Sequence, residues 1–190
     1  MIARPVSSAL LCLALALSPG LSQAKEGGKD QPAHTTGAKF VKVRKAAAED
    51  VARSELKAAV AHAESTKPRK GRYWCVPFAR QVSGIEIKGN AATWWHKAGG
   101  KYERGSLPQI GAVMNFRASK AMPMGHVAVV SKVVDERQVL VDQANWIRNR
   151  ITKDTLVVDV SAQNDWSQVR VANADGTLGR SNPVYGFIYR

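Results

Sequence analysis

The chain has 190 residues, of which 45% are hydrophobic and 23% are charged. This is close to ordinary globular composition, so it allows a buried core and excludes a chain too polar to fold. The formal charge of +13 suits polyanions such as nucleic acid, anionic lipid or an acidic cell-wall polymer, although solvated lysines would give the same charge.

The N-terminus has the features of a secretory signal peptide, residues 1–24. Arg4 gives a positive start, residues 9–17 form an apolar run, and Ser22-Gln23-Ala24 supplies small residues for cleavage. The apolar run is shorter than the roughly 20 residues of a membrane-spanning helix. We therefore expect cleavage after Ala24, a secreted or periplasmic location, and no transmembrane segment in the mature chain.

Cleavage would leave a single cysteine. Cys12 departs with the signal peptide, and Cys75 remains. An unpaired thiol in an exported chain cannot form an intramolecular disulfide, so a reactive thiol is expected. The alternative is an inert buried cysteine.

Two accessory segments are predicted before the main domain. Residues 25–45 are polar and interrupted by glycine and proline, which predicts a flexible tether. Residues 46–72 comprise a peripheral helix, rich in helix formers, and a basic linker. Four basic side chains of the linker could contact an anionic cell-wall polymer: Lys67, Arg69, Lys70 and Arg72.

The folded domain is expected over residues 73–190, which contain all five tryptophans. Residues 75–84 and 90–97 have the pattern of short helices, and Pro77 is tolerable only in a first turn, which puts Cys75 at a helix start. Six β-rich runs follow: 112–116, 126–133, 138–144, 155–160, 169–172 and 185–189. Helices followed by strands predict an α+β fold, with N-terminal helices packed against an antiparallel sheet.

Three side chains could form a nucleophilic site. A helix N-terminus lowers a thiol pKa from about 8.5, and a nearby imidazolium lowers it further, so Cys75 is the candidate nucleophile. His126 opens an apolar strand and is the candidate general base, with a structural histidine as the alternative. Strand alternation puts Gln143 and Asn145 on one face and Asp142 on the other, so either amide is preferred as the group that orients the imidazole.

These residues lie in a series of segments that resembles the CHAP family of cysteine- and histidine-dependent amidohydrolases and peptidases. The segments, in order, are CVPFAR at 75–80, GNAATW at 89–94, PQIGAV at 108–113, GHVAVV at 125–130 and QAN at 143–145. The resemblance implies a papain-like fold. It also implies Cys75 as nucleophile, His126 as base and Asn145 or Gln143 as the orienting residue, with peptidoglycan as the common substrate.

The chain departs from the family pattern at three positions. Gln143 replaces the usual Glu, Ala112 replaces an Asp, and Trp74 stands where many members have a Gln that could help bind the oxyanion. Trp74 and Trp146 are the candidate substrate-binding residues, the latter as a groove wall, while Trp94 is expected in the core. Neither metal-ligand spacing nor a phosphate-binding loop is apparent, so no cofactor is expected.

Two functions compete. The first is a secreted or periplasmic cysteine amidohydrolase or endopeptidase that hydrolyses amide bonds of peptidoglycan through an acyl-enzyme. The alternative is a catalytically inactive CHAP-like module that binds the cell wall. Nucleic acid is not expected as a partner, because a signal peptide argues against it.

Overall fold

The computed structural model describes residues 35–190. The predicted signal peptide, its cleavage site, Cys12 and residues 25–34 of the predicted tether lie outside the described residues. No helix within 35–190 combines the length and apolar character needed to span a membrane.

The first helix is longer than the sequence pattern predicts. Helix α1 covers Thr35–Thr66, so residues 35–45, assigned above to the tether, are helical. Lysine, arginine and alanine favour helix, but few apolar side chains there mark a packed face. Buried Leu56, Val60 and Ala63 attach the C-terminal half of α1 to the rest of the fold.

Two further helices precede the strands in the chain. Helix α2 covers Cys75–Ser83, and Gly84 ends it in the left-handed conformation with a φ of 70°. A 3-10 turn at Ala91–Thr93 leads directly into α3, Trp94–Ala98. These elements agree with the helices predicted over 75–84 and 90–97.

Within residues 35–190, seven antiparallel strands form one sheet. They are β1 Arg104–Gly105, β2 Val113–Phe116, β3 His126–Val133, β4 Gln138–Ala144, β5 Ile151–Asp159, β6 Gln168–Ala172 and β7 Leu178–Ile188. Their order is β1-β7-β2-β3-β4-β5-β6, and β6 also pairs with the long β7, so the sheet curls into a barrel-like form. The predicted α+β class with an antiparallel sheet is therefore confirmed, whereas this closure was not predicted.

Strand β3 separates two hydrophobic clusters. On one face, Val127 packs with Phe78 of α2 and Trp94 of α3. On the other, Ala128 and Val130 belong to a cluster inside the curled sheet. Because side chains alternate along a strand, the start of β3 can present a histidine on the inner face while α2 covers the outer face.

Candidate active site

Cys75 is the first residue of α2. Trp74 precedes it in an extended conformation, and Phe78 N–H donates to the Trp74 carbonyl at 3.4 Å. Pro77 lies in the first turn, where its missing N–H costs no helical hydrogen bond. The half-buried thiol is therefore held at the helix N-terminus, as predicted.

The direction of the Cys75 pKa differs from the expectation drawn from the helix start. Burial raises the pKa of the Cys75 thiol above its ordinary value, while the backbone N–H groups of Val127, Val76 and Cys75 itself act to lower it. Burial is the larger effect because it removes the thiolate from water. The prediction of a lowered pKa is therefore wrong for the free protein, and the resting group is a neutral thiol.

His126 opens β3 with its ring on the inner face of the sheet. The residue is 5% exposed, and its ring lies edge-on to Phe116 at 5.5 Å and to Trp146 at 5.1 Å between centroids. Gly125 precedes it with a φ of 65°, and a Cβ there would lie 2.7 Å from the Ala92 backbone nitrogen. Glycine thus permits the close approach that starts the strand at this point.

The ring of His126 has one polar partner among the described side chains. Its Nε2 lies 2.9 Å from Gln143 Oε1, in a buried contact between β3 and β4. An amide oxygen only accepts, so Nε2 carries the proton and Nδ1 of the neutral ring is available as a base. Burial lowers the His126 pKa to about 4, while the hydrogen bond to Gln143 acts in the opposite direction.

Asn145 has a different partner. Its Oδ1 accepts from Asn149 N–H at 2.9 Å, and Asn149 Oδ1 in turn accepts from Tyr73 N–H at 3.0 Å. Strand β4 ends at Ala144, and Asn145 has a φ of 63°, so strand alternation no longer applies to it. Of the two predicted orienting residues, Gln143 contacts the imidazole, and Asn145 holds a turn against the segment that leads to Cys75.

Asp142 faces away from the histidine, as strand alternation predicts. Its side chain is fully buried and accepts from Lys57 Nζ of α1 at 2.8 and 3.0 Å. It also accepts from the Asp154 backbone N–H at 2.7 Å. Asp142 therefore anchors α1 to the sheet.

One cavity brings most of the predicted site residues together. It has a volume of about 640 Å³, and its lining includes Trp74, Cys75, His126, Asn145 and Trp146. Gln143, which contacts the His126 ring, is fully buried. Trp94 is fully buried in the core, as predicted.

A second cavity adjoins the first. Its volume is about 380 Å³, and Trp146 and Arg180 line both cavities. Sequence reasoning missed Arg180, which lies on β7 far from any recognised segment. Only the pairing of β7 with β6 brings it near the site, so the local sequence contains no signal for it.

The mouth of the larger cavity is aromatic and basic. Trp74 is 50% exposed, and the Arg72 guanidinium carbon lies 4.5 Å from the centroid of its ring. The other basic residues of the linker, Lys67, Arg69 and Lys70, are exposed.

Within residues 35–190, no group of three histidine, cysteine or acidic side chains is arranged to hold a metal ion.

A comparison with protein-family models supports the family resemblance that the sequence segments carry. A family model described as the CHAP domain matches residues 67–145, which include Cys75, His126, Gln143 and Asn145. A search of curated proteins found no match to the chain. The CHAP family generally comprises amidases and peptidases that act on peptidoglycan. Residues 67–145 therefore match the CHAP domain family, in agreement with the resemblance carried by the sequence segments.

Proposed function

We propose that this protein is a cysteine-dependent amidase or peptidase that hydrolyses amide bonds of peptidoglycan through an acyl-enzyme. One observation carries the proposal. Cys75 and His126 line the same cavity, and the 2.9 Å contact from His126 Nε2 to Gln143 Oε1 leaves Nδ1 available for the thiol proton. The helix-borne cysteine and strand-borne histidine also support a papain-like arrangement.

The reaction starts from a neutral pair. The thiol proton passes to His126 Nδ1 as the Cys75 sulfur attacks the scissile carbonyl carbon. The imidazolium then donates that proton to the leaving amine as the C–N bond breaks, which leaves a thioester. Water then attacks the thioester carbonyl carbon as the neutral imidazole takes its proton. The C–S bond breaks, the acid is released, and the imidazolium returns the proton to the Cys75 sulfur.

Three backbone N–H groups would support the developing charge. Those of Val127, Val76 and Cys75 act on the sulfur and stabilise it when negative. The Cys75 N–H belongs to the first turn of α2, where backbone donors have no helical acceptor, so it can also stabilise the tetrahedral oxyanion. Gln143 Oε1 keeps the ring oriented while the imidazolium forms.

The cell-wall setting is part of the same proposal. A secreted or periplasmic location would follow from the predicted signal peptide. The basic linker ends at Arg72, beside Trp74 at the cavity mouth, and would hold the anionic wall near the site.

Digestion of purified sacculi tests the proposed function. Wild-type protein should release soluble muropeptides, and mass spectrometry of the products identifies the bond that is cleaved. Cys75→Ala and His126→Gln should abolish release. Release by Cys75→Ala at the wild-type rate would refute a cysteine mechanism.

The inactive wall-binding module remains a second candidate, favoured by two observations. Burial keeps the resting thiol neutral, and an uncharged amide, Gln143, stands behind the histidine. This candidate predicts that wild type and Cys75→Ala sediment equally with sacculi while neither releases muropeptides.

A further inference from the structure

We propose that the smaller cavity is a substrate subsite for a carboxylate on the peptide part of the substrate, with Arg180 as its specificity-determining residue. The proposal rests on the proposed function, because the subsite serves a peptide held at Cys75. It adds to that function the charge and position of a group that the substrate must carry.

The subsite is continuous with the reactive centre. Trp146 and Arg180 line both the cavity of about 640 Å³ that holds Cys75 and His126 and the cavity of about 380 Å³ beside it. The Trp146 ring lies 5.1 Å from that of His126 between centroids. The second cavity thus begins one side chain away from the proposed base, within reach of a residue adjoining the scissile bond.

The two cavities differ in chemistry. Met122, Pro123 and Met124 contribute apolar surface to the larger one. The smaller one is lined by the polar residues Asn173 and Asn182 together with the basic Arg180. A ligand that spans both would therefore have an apolar or neutral segment at the thiol and an anionic, hydrogen-bonding group farther along.

Arg180 has no carboxylate partner among residues 35–190. Its single side-chain hydrogen bond there runs from Nε to Asn182 Oδ1 at 3.4 Å. By contrast, the guanidinium groups of Arg53, Arg80 and Arg137 each contact a carboxylate. The terminal N–H groups of Arg180 thus remain available.

The acidic side chain in the turn that leads into β7 is already engaged. Asp175, in the turn between β6 and β7, accepts from the Thr177 N–H at 3.0 Å and from the Thr177 hydroxyl at 2.7 Å.

The backbone of Arg180 is held in place by Asn182. The side chain of Asn182 is 2% exposed, and its Nδ2 donates to the Arg180 carbonyl at 2.9 Å. A supported, unpaired guanidinium in a concave site is suited to bidentate recognition of a carboxylate.

A pair of synthetic peptides tests the subsite. The two share the scissile amide and differ only in that the neighbouring residue carries either a carboxylate or a carboxamide. For Arg180→Gln we expect KM for the carboxylate peptide to rise about 10- to 100-fold, because a charged hydrogen-bonded contact is lost. KM for the carboxamide peptide, and kcat for both, should stay within about twofold of wild type.

Arg170→Gln is the matched control. Arg170 is an exposed arginine of β6 that lines neither cavity, and it pairs with Ser181, next to Arg180. It removes the same charge from the same pair of strands, so it should leave both KM values unchanged. Equal KM changes for the two peptides in Arg180→Gln, or an unchanged preference for the carboxylate, would overturn the subsite.

Binding separates failure of the subsite from failure of the proposed function. Both peptides are titrated into Cys75→Ala protein, with and without Arg180→Gln, and tryptophan fluorescence reports their binding. A preference for the carboxylate that disappears with Arg180→Gln supports the subsite even if wild type cleaves neither peptide. Cleavage that depends on Cys75, without any such preference, leaves the proposed function standing and removes the subsite.

Discussion

The burial of His126 should make folding stability depend on pH in a defined window. The ring is 5% exposed and lies among Phe116, Trp146 and the uncharged Gln143, so no carboxylate in these contacts favours the imidazolium. The pKa is about 4 in the folded protein against 6.5 ordinarily. The unfolded chain therefore binds the proton first as the pH falls.

The size and sign of the effect follow from that difference. Above pH 6.5 the residue is neutral in both states and contributes no pH dependence. Between pH 6.5 and 4 the unfolded state holds more protons, so the free energy of unfolding falls as the pH falls. At about 1.4 kcal/mol per pH unit, the loss approaches about 3 kcal/mol at pH 4 and below.

Urea unfolding at a series of pH values between 7.5 and 3.5 measures this loss. The free energy of unfolding of wild type should fall by about 3 kcal/mol more than that of a matched variant over this range. The matched variant is His126→Gln, which retains a neutral N–H donor for Gln143 but does not titrate. Subtracting its pH profile removes the contributions of every titrating group that the two proteins share. Parallel profiles for the two proteins would refute a neutral, buried His126.

Three other predictions concern the site and its support. Gln143→Ala should lower kcat on sacculi about 10- to 100-fold with little change in KM, because the imidazolium loses its acceptor; an unchanged kcat would contradict the orienting role. Iodoacetamide labelling of Cys75 in the free protein should keep accelerating as the pH rises into the alkaline range, because burial raises the thiol pKa. A labelling rate that reaches its plateau below pH 7 would contradict the neutral resting thiol. Lys57→Met should lower the free energy of unfolding in urea by about 2 kcal/mol, because buried Asp142 loses its cationic partner. The control is Lys153→Met, which removes an exposed ion pair. Equal changes in the two variants would show that the contact between Lys57 and Asp142 does not anchor α1.

The sequence by itself determined much of the site because the relevant signals are local. Pro77 fixed the start of α2 and with it the place of Cys75. Alternation along β3 and β4 put His126 on the inner face and Asp142 on the opposite one, and the predicted limits of these two strands agree with the structure. Side-chain period and turn residues are properties of neighbouring positions, so they are readable from one chain.

Tertiary structure alone decided which amide contacts the histidine. Gln143 and Asn145 are equivalent by strand period, but β4 ends between them and Asn145 turns away to bind Asn149. Burial, which depends on the whole fold, reversed the expected direction of the Cys75 pKa. The pairing of β6 with β7 closed the sheet and placed Arg180 beside Trp146, since contacts between distant strands leave no mark in the local sequence.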